Sequence, residues 1–353
     1  MTIILRSMSF KLLSKSPRKG ILTVRGRSVE TPFFMPVATK ATGKSITSDD
    51  YERIGIRAII SNSLHLELMP GSSVIKNNGG LHKFMNYKGI IFTDSGGFQA
   101  SSKFFKEKVK KGLIFNNPHT TGTIKLTPEK AMQIQYDIGS DVAMVLDDMA
   151  PYGASYEEAK KAMLKTHEWA LESLEAHKKL EEENPTGQLL FGIIQGNFYE
   201  DLRRESAKFI TSLPFDGFAI GGLAIGETQE EMLKAIEWVK EYLPEDKPRY
   251  VMGVGKPEDM RILIENGIDC FDSIYPTKNA RHGTLLSEEG RMSITKGRYK
   301  YDGKPVSSTC ECHTCKNYSR AYLNHLTKVK DPSGHRLKSI HNLYYLNSKI
   351  KKL

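Results

Sequence analysis

A chain of 353 residues that is 39% hydrophobic and 26% charged can bury a sizeable core, and one barrel of about 250 residues plus a small satellite accounts for its length. The net charge of +10, from 51 Lys and Arg against 41 Asp and Glu, suits a polyanionic partner, and no stretch approaches the roughly 20 apolar residues of a spanning helix, which argues against a membrane protein. Cysteines number only four, and the short apolar run at the N-terminus has no small-residue cleavage site behind it, so a reducing, cytoplasmic location is expected.

In chain order, eight short apolar runs suit buried parallel strands: Phe33–Ala38, Ala58–Asn62, Ile90–Thr93, Val142–Leu146, Leu189–Ile194, Gly217–Gly221, Tyr250–Val254 and Cys270–Ile274. Amphipathic helical patterns lie between several of them, clearest over Glu157–Glu182, Tyr199–Leu213, Gln229–Leu243 and Pro257–Asn266. Alternation of helices with fully apolar strands predicts a parallel sheet covered on both faces. Eight strands favour a closed (β/α)8 TIM barrel, with an open doubly wound sheet as the alternative. Residues 101–126, rich in Lys, Gly, Asn and Thr, read as an inserted loop or hairpin. Cys270 sits in an apolar run and reads as a small core residue.

Strand after strand ends in a polar or glycine-rich cluster: Thr93 to Gln99, Asp147-Asp148, Gln195-Gly196, Gly221 to Leu223, Gly253 to Lys256 and Asp272-Ser273. In a barrel these ends converge on the face that carries active sites. A single strand-end Asp is often only a helix cap, and a glycine pair is often only a turn. Taken together, Asp94, Asp147 and Asp272 suit chemistry at a sugar anomeric carbon, or the binding of a hard cation such as Mg²⁺. Phe98 and Met252, at the same mouth, suit the sandwiching of a flat ring as well as they suit ordinary core filling.

Near the C-terminus stand Cys310, Cys312 and Cys315, with His341 following 26 positions later. Three thiolates and one imidazole make a closed tetrahedral zinc site, which has a structural role because no position is left open. The apolar spacing after His341 predicts a helix with that residue in its first turn. From Arg291 to Leu353 there are 14 Lys and Arg against three acids, leaving 37 against 38 for the rest, so this segment carries the excess positive charge expected of a polyanion-binding surface. The barrel is thus assigned to residues 1–286 and a basic zinc-binding segment packed on it to residues 287–353.

Asp94-Ser-Gly-Gly-Phe-Gln99, Gly192-Ile-Ile-Gln195-Gly196, Gly221-Gly222-Leu-Ala-Ile-Gly226-Glu227, Met252-Gly-Val-Gly-Lys-Pro257 and the cysteine pattern together resemble the tRNA-guanine transglycosylase family, from about Pro32 to His341. The likeness is strongest to its bacterial-type queuine tRNA-ribosyltransferases. It implies a zinc-containing (β/α)8 enzyme, a homodimer, that exchanges the wobble guanine of GUN-anticodon tRNAs (Tyr, His, Asn, Asp) for a 7-deazaguanine. By that resemblance Asp272 is the nucleophile and Asp94 the general acid/base. Ser95, Asp147, Gln195, Gly222 and Leu223 read the base, Phe98 and Met252 hold its ring, and Lys278 and Arg281 contact the tRNA.

The match departs from the family at Met149, where bacterial enzymes carry Cys and eukaryotic catalytic subunits Val, and at Ile225, which is Val or Gly. The bulk of Ile225 favours the small 7-aminomethyl-7-deazaguanine over the cyclopentenediol of queuine. Lys278 replaces an Arg, exchanging a planar fork for a point charge. The chain also stops soon after His341, short of the family's usual terminal helical extension. Competing readings are direct insertion of queuine, an archaeosine-type enzyme, a non-catalytic tRNA-binding accessory subunit, and a (β/α)8 glycosidase, which leaves the zinc motif and basic tail unexplained.

Overall fold

A computed structural model describes residues 9–353, so the apolar run at the very N-terminus lies outside the described residues. All eight anticipated barrel strands are present, as Phe33–Pro36, Ala58–Asn62, Ile90–Asp94, Val142–Met144, Leu189–Ile194, Gly217–Ile220, Arg249–Val251 and Cys270–Ser273. They are parallel, and each pairs with its sequence neighbours. The eighth pairs back onto the first, and a bridge between Val37 and Ile60, with Ala38 N donating to Ile60 O at 2.7 Å, joins first to second. The circle is therefore closed, which removes the doubly wound alternative.

The barrel interior explains why these strands read as continuous apolar runs. Phe33, Phe92, Phe191 and Tyr250 come from the first, third, fifth and seventh strands, and the Phe92 ring lies 6.3, 5.7 and 6.0 Å from the other three. Four side chains from alternate strands form one interior layer of a (β/α)8 barrel. Outside, the helices Tyr156–Glu183 and Gln229–Lys240 each begin with a capping box, Ser155 with Glu158 and Thr228 with Glu231.

A three-stranded antiparallel sheet, Phe10–Lys15, Arg18–Val24 and Arg27–Thr31, precedes the barrel and was not anticipated. It meets the strands' N-terminal ends: Arg18 Nε lies 3.0 Å from Asp269 Oδ1, and Arg27 Nη1 lies 3.4 Å from Asp141 Oδ1. Asp141, Asp216 and Asp269 each stand just before a strand and accept a backbone N–H from the neighbouring one, from Ile91 at 2.9 Å, Leu190 at 3.0 Å and Arg249 at 2.9 Å. These three aspartates tie strands together at the closed end. Asp94, Asp147 and Asp272 stand at the opposite ends.

Between the third and fourth barrel strands, Phe105–Val109, Gly112–Asn116 and Thr123–Leu126 form an antiparallel sheet, one strand more than a hairpin. Past the eighth strand, a hairpin (Thr284–Ser287 with Gly290–Ser293) and three helices (His313–Asn317, Arg320–Lys328 and Pro332–Ile350) enclose a second core around Leu285, Ile294 and Leu323, none with exposed surface. The long last helix belongs to both cores: Leu337 packs in the second, whereas Ile340, Leu343, Leu346 and Ile350 pack in the barrel's. Its start corrects the expected one. Asp331 caps it by accepting from Ser333 N at 2.7 Å, with Pro332 at its first position, so His341 lies mid-helix.

Candidate active site and metal centre

Asp94 ends the third strand, where Asn62 Nδ2 donates to its Oδ2 at 2.8 Å and Ser63 N to its Oδ1 at 3.3 Å. Burial pushes its carboxyl up to about 7; the two hydrogen bonds pull the other way, and the charge of Asp272 adds to the rise. Asp272 lies in the eighth strand. Tyr250 Oη and Gly253 N both donate to its Oδ1, at 2.5 and 2.9 Å, which leaves Oδ2 without a described partner. Burial raises its carboxyl too, against the pull of those two donors.

Asp147 follows the fourth strand and is 9% exposed. Gln195 Nε2 donates to its Oδ2 at 2.8 Å and Ser95 Oγ to its Oδ1 at 3.4 Å. Burial lifts this carboxyl to about 6, with Gln195 opposing and the adjacent Asp148 adding to the rise. Gly97 lets the third and fourth loops meet, since a Cβ there would come within 2.6 Å of Asp147 O. Gly222 has φ +66°, and its added Cβ would lie 2.8 Å from Gln195 Oε1, so a side chain there would displace the amide. A polar pocket floor of Ser95, Asp147, Gln195, Gly222 and the buried Leu223 is thus assembled from four strand ends.

Phe98 lies on the 3₁₀ turn Gly97–Ser101 and is 57% exposed. Met252 follows the seventh strand and packs against the core edge. Third and seventh strands are diametrically opposite in an eight-membered ring, so the two side chains come from opposite walls. Lys278, exposed, and Arg281, partly buried, share the short helix Tyr275–Arg281 after the eighth strand.

Several residues of this region have structural roles not assigned from the sequence. Tyr250 reads as a core aromatic, and only its register beside the eighth strand brings its hydroxyl to Asp272. Arg203 is fully buried and donates to the carbonyls of Asn197 (2.7 Å), Ile194 (3.2 Å) and Gly221 (2.9 Å), fixing the fifth and sixth strand ends. Glu227 accepts from Ile225 N at 2.9 Å and Gly226 N at 3.1 Å, and so shapes the sixth loop.

In the second core the Sγ atoms of Cys310, Cys312 and Cys315 lie 3.7, 3.5 and 3.3 Å from His341 Nδ1, and all four donor atoms lie within 4.8 Å of one another. Ligand–ligand edges of about 3.5–3.8 Å follow from a tetrahedron with Zn–S near 2.3 Å and Zn–N near 2.0 Å, so the set fits one zinc ion. His341 Nε2 lies 2.7 Å from Leu286 O, which makes Nε2 the donor and turns Nδ1 toward the sulfurs.

A closed (β/α)8 barrel with three largely buried carboxylates at its mouth, none of them ion-paired among the described residues, and a four-donor metal cluster in its second core suits the class of glycosyl-transferring enzymes. The family model described as queuine tRNA-ribosyltransferase matches residues 14–353. Proteins named queuine tRNA-ribosyltransferase from Staphylococcus aureus strains JH9 and JH1 are each 46% identical over 331 residues, 93% of this chain and 86% of the relative. The chain belongs to the queuine tRNA-ribosyltransferase family, and it is a pentosyltransferase.

Proposed function

We propose that this enzyme exchanges the wobble guanine of GUN-anticodon tRNAs for 7-aminomethyl-7-deazaguanine by double displacement. The observation that carries the proposal is the division of labour among the mouth carboxylates. Asp272 has one oxygen engaged by two donors and one oxygen open, the form of a held nucleophile. It attacks the ribose anomeric carbon, guanine departs with a proton given by the Asp94 carboxylic acid, and a covalent ribosyl ester keeps the energy of the glycosidic bond. Asp94 then takes the N9 proton of the incoming base, which attacks the same carbon and frees Asp272. Two inversions give net retention.

Base reading falls to Asp147, which accepts from N1–H and the exocyclic amine, while the second Gln195 amide hydrogen and the Gly222 N–H serve the ring carbonyl. Phe98 and Met252 close on the ring from the two walls. Lys278, Arg281 and the basic residues after Arg291 grip the anticodon arm, whose unpaired loop exposes the target base at small cost. Zinc at Cys310, Cys312, Cys315 and His341 supplies structure only. Two copies form the working unit, in keeping with the stacked and partly exposed pair Tyr318 and Tyr322, whose rings lie 5.5 Å apart on the second core's surface. No described helix is long and apolar enough to cross a membrane.

Labelled guanine should enter unmodified tRNA(Tyr), and 7-aminomethyl-7-deazaguanine should block its entry. Block by queuine as well would favour the direct-insertion reading and mean that Met149 and Ile225 leave room for the larger substituent. No exchange by folded, metal-loaded protein would support an accessory subunit instead.

The pH dependence follows from Asp94. Its carboxyl titrates at about 7, and the protonated form has no lone pair suited to taking N9–H. The rate of base incorporation into a pre-formed tRNA adduct should rise with pH through about 7 and level off above it. A rate flat between pH 5.5 and 8.5 would remove Asp94 as the base.

A further inference from the structure

The inserted sheet carries six lysines against one acid over residues 101–126. Among the described residues, only one of these lysines makes an ion pair: Lys108 Nζ, on the strand Phe105–Val109, lies 2.7 Å from Asp148 Oδ1 and 2.5 Å from Oδ2. Asp148 is 6% exposed, and its backbone is stapled to the helix Tyr156–Glu183 by Thr166, whose Oγ1 accepts from Asp148 N at 2.9 Å and donates to Asp148 O at 3.1 Å. The backbone that carries this carboxylate is therefore fixed in place, one residue from Asp147.

We propose that Lys108 is a positioning residue for base recognition, docking the inserted sheet across the barrel mouth and offsetting the charge that Asp148 places beside Asp147. This rests on the reading of Asp147 as the carboxylate that receives the base. Such a carboxylate must be ionised to accept two N–H donors, and a second carboxylate next to it opposes ionisation. Burial already pushes Asp147 upward, and Asp148 pushes in the same direction. Asp94 and Asp272 are the other acids at the mouth, and Arg203, beneath the fifth and sixth strand ends, spends its donors on backbone carbonyls. Lys108 is the cation that reaches Asp148 from the insertion. The turn carrying Phe98 runs directly into the same insertion, where Phe105 N donates to Ser102 O at 3.2 Å. One ion pair thus couples the electrostatics of the pocket floor to the seating of its wall.

Calorimetric titration of the metal-loaded protein with 7-deazaguanine between pH 5.5 and 8.5 tests this. Lys108→Met should move the acid midpoint of binding up by roughly one unit, an affinity loss of about fivefold at pH 6 that vanishes above pH 8. Lys108→Arg should restore the parent profile, and so should Lys108→Met combined with Asp148→Asn, which removes both charges. An unmoved midpoint in Lys108→Met overturns the proposal. So does a double variant that stays impaired, since the lysine would then act as a tether alone, or a loss confined to the KM for tRNA. Asp147→Asn in the same series separates the underlying reading: unchanged binding there would show that the base is read elsewhere, whatever Lys108 does.

Discussion

Asp272→Asn is expected to abolish the covalent tRNA adduct on denaturing gels and to lower base exchange by at least about 10³-fold, while tRNA binding stays within about twofold of the parent. The geometry makes the substitution clean. Asn retains an oxygen for Tyr250 Oη and Gly253 N, which converge on one side of the group, and puts its amide nitrogen where the free carboxylate oxygen stood. That nitrogen carries no lone pair able to attack carbon. Burial and the Asp272 charge hold the Tyr250 phenol well above its ordinary range, so it remains a donor throughout the working pH range and keeps the side chain oriented in both proteins. Adduct at the parent level from Asp272→Asn would transfer the nucleophile's role to another mouth carboxylate, Asp94 first, whose charge is coupled to that of Asp272.

How much of this was legible in the chain depends on the distance over which each signal acts. The barrel was readable because a strand buried on both faces must be apolar along its whole length, and all eight such runs became strands. The four candidate metal ligands were readable because three of them sit within six residues and metal chemistry restricts their spacing. The N-terminal sheet was missed although its second strand alternates buried and half-buried residues from Arg18 to Val24. Its alternating positions include Arg, Lys and Gly, so the period was hidden by a buried Arg18 whose partner, Asp269, lies 251 residues away.

Long-range pairing also hid much of the site. Asp94, Asp147 and Asp272 stood out as strand-end acids, yet Asp141, Asp216 and Asp269 flank strands equally well in the sequence. Only the direction of the strand separates a closing residue at the barrel floor from a reactive one at its mouth. Tyr250, Arg203 and Lys108 gave no local signal at all, because each acts through a partner brought near by strand register, barrel closure or an insertion. The basic tail illustrates the same limit for charge: a count by segment located one positive region, while the inserted sheet, with six lysines against one acid, was offset in that count by acidic helices elsewhere in the chain.

Removal of the metal, or His341→Ala, should open the second core and leave the barrel standing. Leu285, Ile294 and Leu323 form a core too small to hold itself together, and the four ligands bind the short helix His313–Asn317 to the middle of the last helix. With a loss of at least about 4 kcal/mol, and roughly 2–4 °C per kcal/mol for a chain of this size, the melting temperature should fall by about 10 °C or more. Proteolysis should then cut first between residues 294 and 331. The barrel should survive because Ile340, Leu343, Leu346 and Ile350 on the same helix are packed in its own core, and Arg336 reaches Asp50 with bonds of 2.9 and 2.6 Å. Asn342 Nδ2 donates to Pro276 O at 2.9 Å and to Thr284 O at 3.0 Å, so the helix carrying Lys278 and Arg281 leans on the residue next to the lost ligand. Binding of tRNA should therefore weaken in the metal-free protein, whereas binding of 7-deazaguanine, which rests on residues at the barrel strand ends, should persist. Equal loss of both would mean that the metal supports the whole barrel, and unchanged melting in protein shown to be metal-free would remove its structural role altogether.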